Sequence, residues 1–191
     1  MVGKVLAVCI SPKGGIPKYP QPHVVVGQWG LFGDYHNREM RPSFSKPDTL
    51  KPNVDRHISL VAIEVLEELG EKYLGMLLKP GELSENITTK GLGDLSQITD
   101  GTRLSIGEQV ILRVVEQNQP CKNVRAAYGL EFYKQVTGRR GILCAIEKGV
   151  GATIHPGDFI EVLKGGEPVV ADSPPDTSPP AKAKALQDAD A

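Results

Sequence analysis

The sequence predicts a mainly β, α+β fold: a barrel of mixed strands with two or more helices packed outside. Three observations carry this expectation. Short runs with a two-residue hydrophobic period recur along the chain, separated by Gly- and Pro-rich turns. Two stretches repeat instead at three and four residues, as amphipathic helices do. The strands are not regularly separated by helices, so repeated βαβ winding is not expected and a closed or half-closed barrel fits better.

Val2 to Ile10 reads as the first strand, with Leu6, Val8 and Ile10 on one face and Val5, Ala7 and Cys9 on the other. Both faces look covered, which places Cys9 in the core. Ser11 to Pro22 is a loop, because its prolines and glycines interrupt every period. Val24-Val25-Val26 begins a second strand that runs out at Gly33-Asp34, and His36 follows with Arg38 and Arg41 nearby. That trio either binds an anionic group or is solvated. Arg41 to Asp55, with Pro42, Pro47 and Pro52, is a long irregular connection.

A helix follows, capped by Ser59, with Ala62, Val65, Leu66, Leu69 and Tyr73 inward. Glu64, Glu67, Glu68 and Glu71 form its solvated face rather than a carboxylate pair for acid-base work. Pro80-Gly81 is a turn before a short strand around Asn86 to Thr88. Asparagine is depleted in strands, so Asn86 is expected to have a specific partner, structural or ligand-borne. Gly101 to Ile106 and the strand from Val110 flank a hairpin turn at Gly107-Glu108. Ile142 to Ile146 holds Cys144, expected in the core, and Phe159 to Leu163 closes the domain. The glycines of Lys148 to Asp158 follow neither a Walker spacing nor a strand-to-helix GxGxxG context.

The 191 residues are 40% hydrophobic and 24% charged, which fits one globular domain over 1–165 and a tail over 166–191. The tail is rich in Pro and Ala with few large apolar side chains, the composition of a disordered segment. Its five carboxylates against Lys182 and Lys184 give it −3, which leaves +2 on a body whose total with the tail is −1. Neither value argues for nucleic acid or a membrane surface as partner. Three scattered cysteines without CxxC spacing are neither a disulfide framework nor a zinc site. With no secretory pattern and no membrane-length apolar run, a reducing, cytoplasmic setting is expected.

Cys121 carries the chemistry. The strand from Val110 stops at Pro120, which fixes φ and donates no amide, so Cys121 sits at a chain reversal. A helix is expected at once, with Asn123 as N-cap, Val124, Ala127, Tyr128, Phe132 and Val136 recurring, and Gly138 at its end. The positive end of that helix, with Lys122 and Arg125, favours a thiolate able to act as nucleophile or soft metal ligand. The local sequence is equally compatible with a small apolar residue filling a strand end.

Several segments together resemble the MOSC domain, the module related to the C-terminal domain of molybdenum-cofactor sulfurases. They are Gly33-Asp34-Tyr35-His36, Arg56-His57-Ile58-Ser59-Leu60, Lys79 to Thr88, Leu104 to Glu108, Pro120-Cys121, Gly138-Arg139-Arg140-Gly141 and Ile154 to Asp158. Tyr35 and Asn37 depart from the family, which commonly has a basic or small residue there. The resemblance implies a barrel and a characteristic cysteine, here Cys121. It also implies the molybdenum cofactor (molybdopterin), with Cys121 as metal ligand or as carrier of a persulfide. By motif position, His36, Arg56, His57, Asn86 and Arg139 become the candidates to hold that cofactor and its phosphate, or else they stabilise loops. A zinc site from His36, His57 and Cys121 has no support in the spacing. Family members include sulfur carriers and reductases of N-hydroxylated compounds. As a reductase the chain would need a separate electron donor, since it shows no flavin fingerprint or iron-sulfur cysteine set, and as a carrier it would need a sulfur-donor protein. The competing reading is a non-catalytic small-molecule or protein binding module in which Cys121 is structural.

Overall fold

A computed structural model of the chain describes residues 1–43, 46 and 48–163, and the expected tail lies outside the described residues. In order, the elements are β1 (Val2–Ile10), β2 (Tyr19–Gln21), β3 (Val24–Val25), β4 (Met40–Pro42), β5 (Leu50–Pro52), β6 (Ile58–Ala62) and α1 (Ile63–Leu74). They continue with β7 (Ile87–Lys90), β8 (Arg103–Ile106), β9 (Val110–Gln117), α2 (Lys122–Val136), β10 (Ile142–Lys148), β11 (Thr153–Ile154) and β12 (Phe159–Leu163).

Seven strands close a mixed barrel in the order β12-β8-β9-β10-β6-β7-β1, and β1 pairs back to β12. Six of the seven neighbouring pairs are antiparallel; the exception is β6 with β7, joined through α1 as a single crossover. Strand alternation fills the interior: in β9, Val110, Leu112 and Val114 are buried while Ile111, Arg113 and Val115 are half-buried. Leu60, Ile87, Leu104, Ile142, Cys144 and Ile160 join the same core from other strands. Helix α1 closes over the barrel with Ile63, Val65, Leu66 and Leu69.

Three local expectations need correction. Ser59 does not cap α1: it lies inside β6, whose apolar, branched run Ile58 to Ala62 reads as a buried strand. The helix begins four residues later, at Ile63, with no side-chain cap, and Tyr73 on its last turn stays 36% exposed. The N-cap of α2 is Cys121 rather than Asn123, and Gly129, at φ +82°, interrupts the helix and leaves Ala127 exposed. Within the connection read as irregular, β4 and β5 form a short hairpin.

One end of the barrel is polar. Asp34 is buried and accepts from the Ser11 amide at 3.1 Å, the His36 amide at 3.0 Å and the ammonium of Lys18 at 3.0 Å, with the His36 ring at 3.2 Å. Lys18 itself is only 2% exposed. Burial opposes the charge on Asp34, yet the bonds from His36 and Lys18 together hold its carboxyl below the usual range. Glu85, fully buried, accepts from the amides of Gly81 at 2.6 Å and Leu83 at 3.1 Å and from the Thr88 hydroxyl at 2.7 Å. At Gly141, φ is +73° and a Cβ would stand 1.9 Å from the Leu60 carbonyl oxygen, so no side chain fits.

Gly141→Ala is therefore expected to lose on the order of 3 kcal/mol, read as a lower urea midpoint. Asp34→Asn leaves the Lys18 ammonium buried without its counter-charge, at a cost of about 3–5 kcal/mol near neutrality. Because the folded carboxyl titrates below its unfolded value, its stabilisation is complete above about pH 4 and is lost as pH falls further. Urea unfolding across pH should show the wild-type advantage over the variant shrinking below about pH 4.

Candidate functional site

Strand β9 leaves the barrel at Gln117, Pro120 ends its extended path, and Cys121 takes the N-cap position of α2 with φ −106° and ψ 175°. The amides of Val124 and Arg125 return to the Cys121 carbonyl at 3.0 and 3.4 Å, while its side chain makes no capping bond. The sulfur is left to what lies in front of the helix. That is a cavity of about 670 Å³ at the polar end of the barrel.

Cys121, His36, Arg56, His57 and Asn86 all line this cavity, so the chain brings five of the six candidates together. Their parts differ. Asn86 is a brace between strands: its amide group donates to the Cys9 carbonyl at 3.2 Å and accepts from the Ser59 hydroxyl at 3.1 Å. His57 is held between two backbone groups, one ring nitrogen 3.1 Å from the Asn53 carbonyl and the other accepting the Ile146 amide at 3.1 Å. Burial lowers its proton affinity, and with both nitrogens committed the ring is neutral and not free to bind a metal. The His36 ring is half exposed and anchored at Nδ1 by Asp34. Arg56 pairs with Glu116 at the cavity wall. Among the described residues no three His, Cys, Asp or Glu side chains are grouped to hold a metal ion.

Arg139 is placed elsewhere. Its guanidinium grips Glu68 of α1 with two bonds of 2.8 and 2.7 Å and reaches Asp94 at 3.3 Å. Of the two adjacent arginines, the one at the cavity is Arg140, 6% exposed. It donates to the Leu83 carbonyl at 2.7 Å and the Gln119 carbonyl at 2.9 Å. Burial lowers its proton affinity, opposed by the neighbouring Cys121 and Glu85 side chains. The next residue, Gly141, lies close against Leu60 of β6.

Sequence reasoning missed Lys13, Lys18 and Lys51, which lie in segments without a period, while Arg41, read with His36 and Arg38 as a possible anion-binding trio, also lines the cavity. With them the lining holds six basic side chains, adding Arg56 and Arg140, against the one carboxylate of Glu116. Asp34 neutralises Lys18 and Glu116 neutralises Arg56. Arg41 is worse served, with Asp55 at 3.9 Å and a buried Nε that has no partner among the described residues. Burial, followed by the charge of Arg56, lowers its proton affinity. The cavity lining thus carries a net positive charge, with Cys121 on its wall. A large anionic cofactor fits this donor set, Cys121 offering the soft ligand and the cations and carboxamides meeting its polar parts.

A MOSC domain model matches residues 32–161. YuaD of Bacillus subtilis strain 168, whose name refers to metal-sulfur cluster biosynthesis, is 28% identical over 117 residues. That stretch is 56% of this chain and 60% of the relative, so the chain spans less than two thirds of the relative's length. The crystal structure of the YuaD protein superposes with a TM-score of 0.73 at 24% identity, covering 84% of this chain and 94% of that one. YiiM from Geobacillus stearothermophilus gives 0.60 at 18% identity, covering 85% and 75%, and YiiM from Escherichia coli 0.62 at 17%, covering 90% and 74%. These structures share the fold. With the family model spanning more than half of its residues, the chain belongs to the MOSC domain family, which is related to the C-terminal domain of molybdenum-cofactor sulfurases.

Proposed function

We propose that the cavity binds the molybdenum cofactor and that Cys121 serves it, as ligand to the metal or as carrier of a persulfide. One observation carries this reading: a cysteine at the N-cap of a helix opens on a cavity with six basic side chains and one carboxylate. The pterin cofactor bears a phosphate, which Lys13, Arg41 and Lys51 can meet, while Gln119 and Asn123 offer carboxamides to a heterocycle. Of the residues first considered, His36 and Arg56 remain polar walls, Asn86 and His57 set the backbone around the site, and Arg140 takes the place given to Arg139.

Bound there, the group would supply redox chemistry at molybdenum, and this chain would then work with a separate electron donor on compounds such as N-hydroxylated ones. In the carrier role, the Cys121 thiolate attacks the outer sulfur of a donor's persulfide. A new S–S bond forms at Cys121, the donor cysteine leaves as thiolate, and no net electrons are exchanged. The name of YuaD, which refers to metal-sulfur clusters, accords with sulfur handling. Among the described residues no helix is long and apolar enough to cross a membrane.

Metal and pterin analysis of the protein purified from its own host decides between the roles. Molybdenum near one per chain in wild type and lost in Cys121→Ser supports ligation; a sulfur-mass addition on Cys121 without metal supports the carrier. Neither result, with Cys121 resisting alkylation in the folded protein, would leave a non-catalytic binding module. The cations have their own signature. Iodoacetate, an anion, should alkylate Cys121 several-fold faster relative to neutral iodoacetamide than it does a free cysteine. Lys51→Ala or Arg41→Ala should remove much of that preference while sparing the iodoacetamide rate.

A further inference from the structure

We infer that Tyr35 is a specificity residue of this cavity, presenting its hydroxyl as a fixed hydrogen-bond donor to an oxyanion of the bound guest. The Tyr35 ring is immobilised before any guest arrives. The Arg38 guanidinium lies over one face, 3.6 Å from the ring centroid, while Nε of the same arginine donates to the Tyr35 carbonyl at 2.6 Å. Gly14 abuts the root of the ring so closely that a Cβ there would stand 2.9 Å from a ring carbon, and Gly14 carries a φ of +70°. The His36 ring meets it edge-on at a centroid distance of 5.3 Å. The Tyr35 amide is tied to the Ser11 carbonyl at 2.8 Å.

Tyr35 nevertheless lines the cavity, and its hydroxyl has no hydrogen-bond partner among the described residues. With one face under Arg38 and the ring's root against Gly14, the hydroxyl end is what the residue has left to offer. Lys13, next to Gly14, lies on the same wall and supplies the charge. A charge alone attracts any anion; a rigid O–H selects one with an acceptor oxygen at the right place, and rigidity spares the ordering cost of binding.

This inference rests on the reading that the cavity takes an anionic guest, and one experiment separates the two. Inorganic phosphate is titrated against iodoacetate alkylation of Cys121 in wild type, Tyr35→Phe and Arg38→Gln, with melting curves for each. Wild type should be protected by phosphate. Tyr35→Phe, which keeps the ring and its packing, should raise the phosphate dissociation constant about ten-fold at unchanged melting temperature, as expected for losing a hydrogen bond to a charged group. Arg38→Gln, which frees the ring, should weaken phosphate to a smaller degree. Protection of wild type and Tyr35→Phe at the same phosphate concentration would overturn the role of Tyr35 and leave the anionic cavity standing. Absence of protection in wild type would overturn both.

Discussion

Two buried carboxylates hold the functional end of this barrel together. Asp34 draws in Ser11, Lys18 and His36, and Glu85 draws in Gly81, Leu83 and Thr88. The segments that they join have little regular secondary structure and could not otherwise keep a fixed shape. The loop after β1 thereby acquires walls, and the segments around residues 34 and 84 become its neighbours. Ser84 confirms how tightly this is drawn: it sits at φ +66°, and its hydroxyl donates to the Gly15 carbonyl at 2.6 Å. A buried charge pair is a poor source of stability compared with apolar packing, so its value here lies in the geometry that it imposes.

The same end of the molecule keeps more positive charge than it neutralises. Lys18 and Arg56 have carboxylate partners, but Arg41 is set near Arg56 with Asp55 no closer than 3.9 Å. Like charges held together in a partly buried place cost stability, and a fold selected for stability alone would replace one of them. Departures of this kind concentrate at functional sites. The β4–β5 hairpin matters for this reason: it brings Arg41 and Lys51 to the cavity.

How much of this was legible in the sequence depended on whether a residue sat in a periodic segment. The barrel was readable because a strand such as β9 alternates cleanly, and the strand end at Cys121 was readable because proline cannot continue a ladder. Arg139 and Arg140 were not separable, since adjacent residues point apart and the side that faces inward is fixed by the approach of Gly141 to Leu60, a contact between distant segments. Ser59 misled for a similar reason. Its hydroxyl suits a helix cap, but its partner is Asn86, 27 positions away, immediately before the strand that pairs with its own. Lys18 gave no signal at all, because a lysine in a Pro- and Gly-rich loop is normally solvated and its burial depends on Asp34.

The three cysteines show how topology assigns chemistry to one residue type. Cys9 and Cys144 lie in strand interiors, fully buried. Burial, with the nearby charge of Glu85, pushes the Cys9 thiol up to about 12, and burial raises that of Cys144 as well. Both therefore stay neutral and pack as small apolar groups. Cys121 has the same side chain but stands where a strand has stopped and a helix begins, beside the Arg140 guanidinium and in front of a cavity. The barrel closes its own hydrogen bonds along the strands and leaves their ends to loops, so a polar cavity forms there without opening the core. The role proposed for Cys121 requires its sulfur at such an end, and Pro120 puts it there.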